Sequence, residues 1–391
     1  MTAHVLGAGD GYRYLTDQVA AADEGPRPGE DLGDYYLRTG NPPGRWYGSG
    51  TAALGVEGSV SEKQMGNLYG LGLHPDSADP LGRPYNVYRA AGERLAAALT
   101  AEPDATPERR DELAAAVEKV GQRQAVAGFD CTFSPVKSIS ALWAIADDDL
   151  RSAIEDAHRA AWQETIDWIE SDVARTRIGV NGIAAAPVRG ITVAAFDHRT
   201  SRTGDPQLHT HVVVSNKVQG HDGRWRSLDS RALLRATVAA SERYNTAIEA
   251  RVANAVGGSF SVRPGQNPAD STAIRELDGM PPELLDAYSK RRAAQQTRYQ
   301  ELVDEYRQAH GHQPPPGVQY RLAQQATLDT RPAKEDGLRW ESERAYWRAE
   351  AQRVTGRTWE DIVGGATGAE VPLDAVEVDV DSVAAQVLAG V

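Results

Sequence analysis

The stretch that most constrains this chain is "HRTSRTGDPQLHTHVVVSN", residues 198–216. Val212, Val213 and Val214, with Leu208 just before them, form an apolar β-branched run that reads as a buried strand. Upstream, "GITVAAFDH" reads as a second apolar strand ending near His198. Between them, the Arg, Ser, Thr, Gly, Asp and Pro of 199–207 are turn formers. Residues i and i+2 of a strand share a face, so His209 and His211 project side by side, and a hairpin return brings His198 back to meet them. Three of the chain's nine histidines thus fall within fourteen positions. Three neutral imidazoles converging on one point make a divalent-metal site. An HxH pair alone is more often structural, and the third histidine across the turn shifts the balance. The other close pair, His310 and His312 in "AHGHQPPPG", lies in a Pro/Gly-rich loop with no strand beneath it and reads as incidental.

With 391 residues, 41% hydrophobic and 25% charged, the chain reads as a soluble globular protein of one large domain or two to three ordinary ones. Cys131 is the only cysteine, which excludes a disulfide framework or a cysteine-based zinc site and favours a reducing cytoplasm. "MTAHVLGAGDGYRY" has neither the basic nor the apolar region of a signal peptide. Apolar stretches such as "IGVNGIAAAPV" are too short to span a membrane. The net charge of −13 argues globally against non-specific nucleic-acid binding. Local patches say otherwise, because "RTSR", "RWRSLDSRALLR" and "SKRRAAQQTR" are basic and lie within or after the histidine cluster.

Along the chain, residues 8–22 read as a short helix. "SEKQMGNLYGLG", "NVYRAAGERLAAALTAE" and "RRDELAAAVEKVGQRQ" read as helices, the first of them capped. "AGFDCTFSPVKSISALWAIA" reads as strand, turn and helix, and 149–171 as an amphipathic helix. "GIAAAPVRGITVAAFDH" holds two strands, followed by the HxH strand, "GRWRSL" and a helix over 231–256. The loop "RPGQNPADST" leads into an α-rich region reaching about 362, broken at "DGMPPEL" and "GHQPPPG". There is no internal repeat and no GxxxxGK[ST] phosphate loop. The mixture is α+β.

"DPQLHTH" with its upstream histidine, "FDCTFSPVKS", and the N-terminal "YLTD" and "DYY" occur in an order that resembles the relaxase domain of MobF-type conjugative relaxases, the TrwC and TraI group of HUH endonucleases. The resemblance covers roughly residues 5–260, and more loosely the helices to about 355. "FDCTFSPVKS" departs slightly from the family's "DLTFSAPKS". It implies an HUH relaxase fold, a central antiparallel sheet flanked by helices, with a nicking core over 1–260. An α-rich extension over 261–362 would cover DNA, and 363–391 would form an acidic linker-like tail. Known members carry a helicase region after this domain, so the expectation is an excised domain or an unusually short protein.

The resemblance further implies that His198, His209 and His211 hold one divalent cation (Mg²⁺, Mn²⁺, Zn²⁺ or Ni²⁺), which polarises the scissile phosphate and screens its charge. Asp130 would orient a metal-bound imidazole or take the nucleophile's proton, and by itself it reads equally well as a solvated strand-end residue. A tyrosine would attack single-stranded DNA at an origin of transfer, leaving a 5′-phosphotyrosyl link and a free 3′-hydroxyl. That diester conserves the energy of the broken bond, so the strand can be rejoined. A phenol has a pKa near ~10 and needs help to ionise. "YLTD" places Tyr14 in this role, with Asp17 one turn on; Tyr12, two residues away, is the rival on another helical face. Tyr35 and Tyr36 match the family's second tyrosine pair, to which a second strand transfer is attributed.

Lys137 and Arg202 are candidate phosphate contacts, and Gln207 and Asn216 candidates to orient the histidines or DNA. Trp46 and Trp225 offer rings for base stacking. Accessory relaxosome proteins and a coupling protein are the implied partners, and the chain would act on DNA as a monomer. Two other readings remain: a metal-dependent phosphoesterase that activates water, and a non-catalytic DNA-binding module. The N-terminal tyrosine motifs argue against the first, and the complete His/Asp/Tyr set against the second.

Overall fold

The computed structural model describes residues 1–16, 42–120, 124–264, 266, 273–330 and 340–368. The strands, in chain order, are β1 (Thr2–Gly7), β2 (Arg45–Tyr47), β3 (Val126–Phe133), β4 (Arg175–Ile178), β5 (Ala184–Pro187), β6 (Val193–Thr200) and β7 (Pro206–Ser215). They are followed by β8 (Lys217–Gln219), β9 (Trp225–Ser227), β10 (Phe260–Val262) and β11 (Arg275–Leu277). Five of them form the central antiparallel sheet in the order β1-β3-β7-β6-β2, and β4-β5, β8-β9 and β10-β11 are two-stranded ribbons.

The pleat divides β7 in two. Leu208, Thr210, Val212 and Val214 are buried, the apolar three in the larger core, while His209 and His211 point to the other face and are only partly covered. On that second face His198 pairs directly with His209, Thr132 with His211, and Asp130 with Val213. The β6–β7 register shifts between His198 and Thr200, a bulge of the kind that re-aims side chains beside functional sites.

Helices Lys137–Ile145, Asp148–Trp168 and Thr237–Val256 cover the first face. The Asp147 carboxylate caps the second of these by accepting from the Leu150 N–H. The opposite core is smaller and includes Leu6, Tyr12, Leu15, Trp46, Met65, Leu68, Tyr69, Phe196 and Val213. There, Glu62–Met65 opens on a Ser61/Gln64 capping box and continues as a π-helix, Gly66–Leu71. A Cβ on Gly66 would come within 3.0 Å of the Tyr12 hydroxyl, so the residue stays small where the tyrosine-bearing segment packs.

Residues after 260 share a core with those before it. Trp347, Ala351, Ile362 and Ala366 pack in the same cluster as Phe133, Ile139 and Trp143. Helix periodicity shows that one face is buried, but not against which partner. The β10–β11 ribbon around "RPGQNPADST" was not foreseen either. The tail beyond 368 lies outside the described residues. Among the described residues no helix is long and apolar enough to cross a membrane.

The C-terminal helices grip the hairpin that carries the histidines. The Trp347 indole N–H donates to the Gly204 carbonyl at 3.0 Å, and the buried Asp205 accepts from the Lys290 backbone N–H at 3.0 Å. Replacing the fully buried Trp347 by Ala should cost about 3–5 kcal/mol, through lost apolar burial and the cavity left behind. Urea unfolding tests this, and a loss below about 1 kcal/mol would show that the helix only leans on the sheet.

Candidate active site

His198, His209 and His211 meet with ring centroids 4.9–5.3 Å apart, and a ligand nitrogen from each lies within 4.8 Å of the others. Their neighbours fix which nitrogens carry protons. His209 Nδ1–H donates to the Gln207 carbonyl at 2.8 Å. His211 Nδ1 lies 2.8 and 3.0 Å from the two Asp130 oxygens, and Thr132 Oγ1 stands 3.2 Å away. A carbonyl and an ionised carboxylate only accept, so Nδ1 holds the proton in both rings and Nε2 keeps its lone pair. Burial, reinforced by His211, pushes His209 down to about 4, which keeps it neutral at physiological pH. The donor set fits a divalent cation: three imidazoles, two of them oriented by an outer oxygen.

Tyr14 stands at the edge of this cluster. Its hydroxyl donates to Asp130 Oδ2, and its ring meets His211 edge-on at 5.9 Å. The side chain is 40% exposed, whereas Tyr12 is buried in the smaller core at 7%. Asp130 therefore links the phenol to the histidine. Burial would raise its carboxyl, but the hydrogen bonds from His211 and Tyr14 leave it below the usual range. Burial and the facing Asp130 charge in turn raise the Tyr14 phenol well above its ordinary value.

The family model described as "TrwC relaxase" matches residues 8–354 of the chain that carries this site. The chain belongs to the TrwC relaxase family. The multifunctional conjugation protein TraI of Escherichia coli is 30% identical over 227 residues, 58% of this chain and 10% of TraI. TraI of strain K12 is 30% identical over 229 residues, with the same coverage. The chain thus spans about a tenth of the length of the curated relatives it matches. The conjugative relaxase TrwC in complex with oriT DNA, in its copper-bound structure, is 23% identical with a TM-score of 0.61 over 92% of this chain and 99% of that one. TrwC complexed with a 27-mer DNA comprising the recognition hairpin and the cleavage site gives 0.58 at 23% identity, with the same coverage.

In this TrwC-family chain the other anticipated residues fare unevenly. Tyr35, Tyr36 and Asp17 lie outside the described residues. Arg202 sits, partly exposed, in the turn between the histidine strands. Gln207 engages His209 through its backbone carbonyl. Lys137 begins a helix and its Nζ donates to the Pro206 carbonyl at 3.0 Å, with burial lowering its pKa, so it braces the start of β7. Asn216 is buried at 8% and turned inward, its amide donating to the Val126 carbonyl and accepting from the Leu228 N–H. Those bonds account for an asparagine there without DNA. Trp46 is a core residue at 8% exposure rather than a stacking platform. Part of the basic runs is consumed internally, as in Arg199–Glu343, Arg226–Asp222 and Lys290–Glu350. Sequence reasoning also missed Thr132 and His4, which pair with His211 and Asp130 in the sheet. Both could have been found by extending the strand registers outward from "FDCTF".

Asp130→Asn keeps the shape but loses the charge that accepts from Tyr14. Strand cleavage should fall by roughly 10²–10⁴-fold, the range for losing a general base. An unchanged rate in single-turnover assays would remove Asp130 from the reaction.

Proposed function

We infer that the chain nicks and rejoins one strand of DNA at an origin of transfer by tyrosine transesterification. The observation that carries this reading is the Tyr14 hydroxyl, held on Asp130 next to the convergent histidines. The Tyr14 oxygen attacks phosphorus as its proton passes to Asp130. The P–O bond to the 3′ oxygen breaks, and the leaving oxygen takes up a proton to become a free 3′-hydroxyl. The new Tyr14–phosphate diester retains the 5′ end. Run backwards with a 3′-hydroxyl as nucleophile, the same groups reseal the strand. Alone, the phenol beside a carboxylate keeps its proton. A divalent cation on His198, His209 and His211 would polarise the phosphate, screen its charge and loosen that proton. Three imidazoles favour Mn²⁺, Ni²⁺ or Zn²⁺ over Mg²⁺ in affinity.

The water-activating reading is disfavoured because the carboxylate a water would need, beside the histidines, already accepts from a phenol. The test uses a random-core single-stranded DNA library, labelled at either end, with Mn²⁺. Transesterification moves the 3′-labelled fragment into a denaturant-resistant protein adduct and releases the 5′-labelled one. Two released fragments would indicate hydrolysis, and retention without cleavage a binding module; either outcome overturns the proposal.

A further inference from the structure

Behind the histidines, on the opposite face of the sheet, five polar side chains from five elements form one relay, buried at Thr210, His158 and Tyr244 and half-buried at Asp197 and Arg45. Arg45 of β2 pairs with Asp197 of β6, its Nη2 lying 3.1 Å from Oδ1. Thr210 of β7 donates its hydroxyl to Asp197 Oδ1 at 2.6 Å. His158, on helix Asp148–Trp168, places Nε2 2.8 Å from Thr210 Oγ1 and Nδ1 2.7 Å from the hydroxyl of Tyr244 on helix Thr237–Val256.

The polarity of this relay follows from counting protons. Asp197, ionised beside Arg45, only accepts. Thr210 has one hydroxyl proton and gives it to Asp197, so towards His158 it accepts and His158 Nε2 carries hydrogen. With a neutral imidazole, Tyr244 donates to Nδ1, and each bond along the chain has one donor and one acceptor. A hydrogen-bonded network of defined polarity favours one arrangement.

Its location gives that arrangement a consequence. Thr210 lies between His209 and His211, and Asp197 immediately precedes His198. The two are direct partners in the β6–β7 pairing, one step from the His198–His209 pair. Just beyond, the ladder slips at the bulge before resuming at Thr200 and Pro206, so the backbone pairing is locally disrupted beside His198. We propose that the Arg45–Asp197–Thr210–His158–Tyr244 relay is the positioning device of the histidine centre, fixing the spacing of the three imidazoles and thereby the affinity for a divalent cation. This rests on the reading of His198, His209 and His211 as the cation's ligands. His158, Thr210 and Tyr244 are positioning residues and touch neither the cation nor DNA.

The experiment is calorimetric titration of the metal-free full chain with Mn²⁺, with thermal unfolding of the same samples measured without metal. Thr210→Val keeps the shape and removes the hydroxyl, and should weaken Mn²⁺ binding about ten-fold, at the lower end of what losing an outer partner of a metal site does. Thr210→Ser restores the hydroxyl and should recover the parental affinity. Tyr244→Phe removes only the outermost donor and should weaken binding measurably but less, and it decides the matter if the valine variant does not fold. Parental affinity in both Thr210→Val and Tyr244→Phe, with only their melting points lowered, would show a purely structural network and overturn the proposal. Failure of the unaltered chain to bind Mn²⁺ would overturn the histidine centre and this proposal together.

Discussion

Alanine at His209 or His211 is expected to lower strand cleavage about a thousand-fold or more while single-stranded DNA binding stays close to that of the parent chain. The two measurements separate because a cation at the histidines acts on one phosphate, whereas binding sums contacts along the strand. Removing one of three imidazoles would leave a site unable to hold a divalent ion, and several kcal/mol of charge stabilisation in the transition state would go with it. At His211 the loss has a second component. Asp130 accepts from both His211 and Tyr14, so without the imidazole only the phenol remains of that pair of donors. Chelation should reproduce the effect in the parent chain, and added Mn²⁺ should reverse it. Near-parental cleavage by either variant at the same metal concentration would mean that the three histidines do not form the reacting centre.

Tyr14→Phe should reduce covalent adduct formation to background. The ring remains against His211, Asp130 keeps its bond to His211, and the side chain is already 40% exposed, so folding and DNA binding should survive. Tyr12→Phe provides the contrast. Its ring is buried at 7% in the smaller core, so losing the hydroxyl should leave most of the first cleavage intact. The check is a denaturing gel of 3′-labelled DNA, which should shift with the Tyr12 variant and not with the Tyr14 variant.

The histidine hairpin was legible because its information is local. A period of two, a turn and a β-branched run place His198, His209 and His211 on one face without knowledge of any other part of the chain. Tyr14 and Asp130 were legible only through the family's motifs, since no periodicity brings residues 116 positions apart into hydrogen-bond contact. Lys137, Asn216 and Trp46 were assigned by what their side chains can do in water, and the structure turns each inward, where a carbonyl, a backbone N–H or an apolar neighbour takes that capacity up. Whether a polar group faces solvent is decided by tertiary partners, and a single sequence does not display them. The relay beneath the sheet escaped for the same reason. Asp197 and Thr210 flank the histidines in plain view, but His158 and Tyr244 approach from helices that pack there only once the fold has closed.

The central claim is that Tyr14 makes the covalent bond to DNA. Its most direct test is protease digestion of the adduct, followed by mass spectrometry of the nucleotide-bearing peptide. The account predicts that, after the first cleavage, the phosphonucleotide is found on Tyr14. A nucleotide on Tyr12, Tyr35 or Tyr36 in that first step, or cleavage with no nucleotide on any tyrosine, would contradict it.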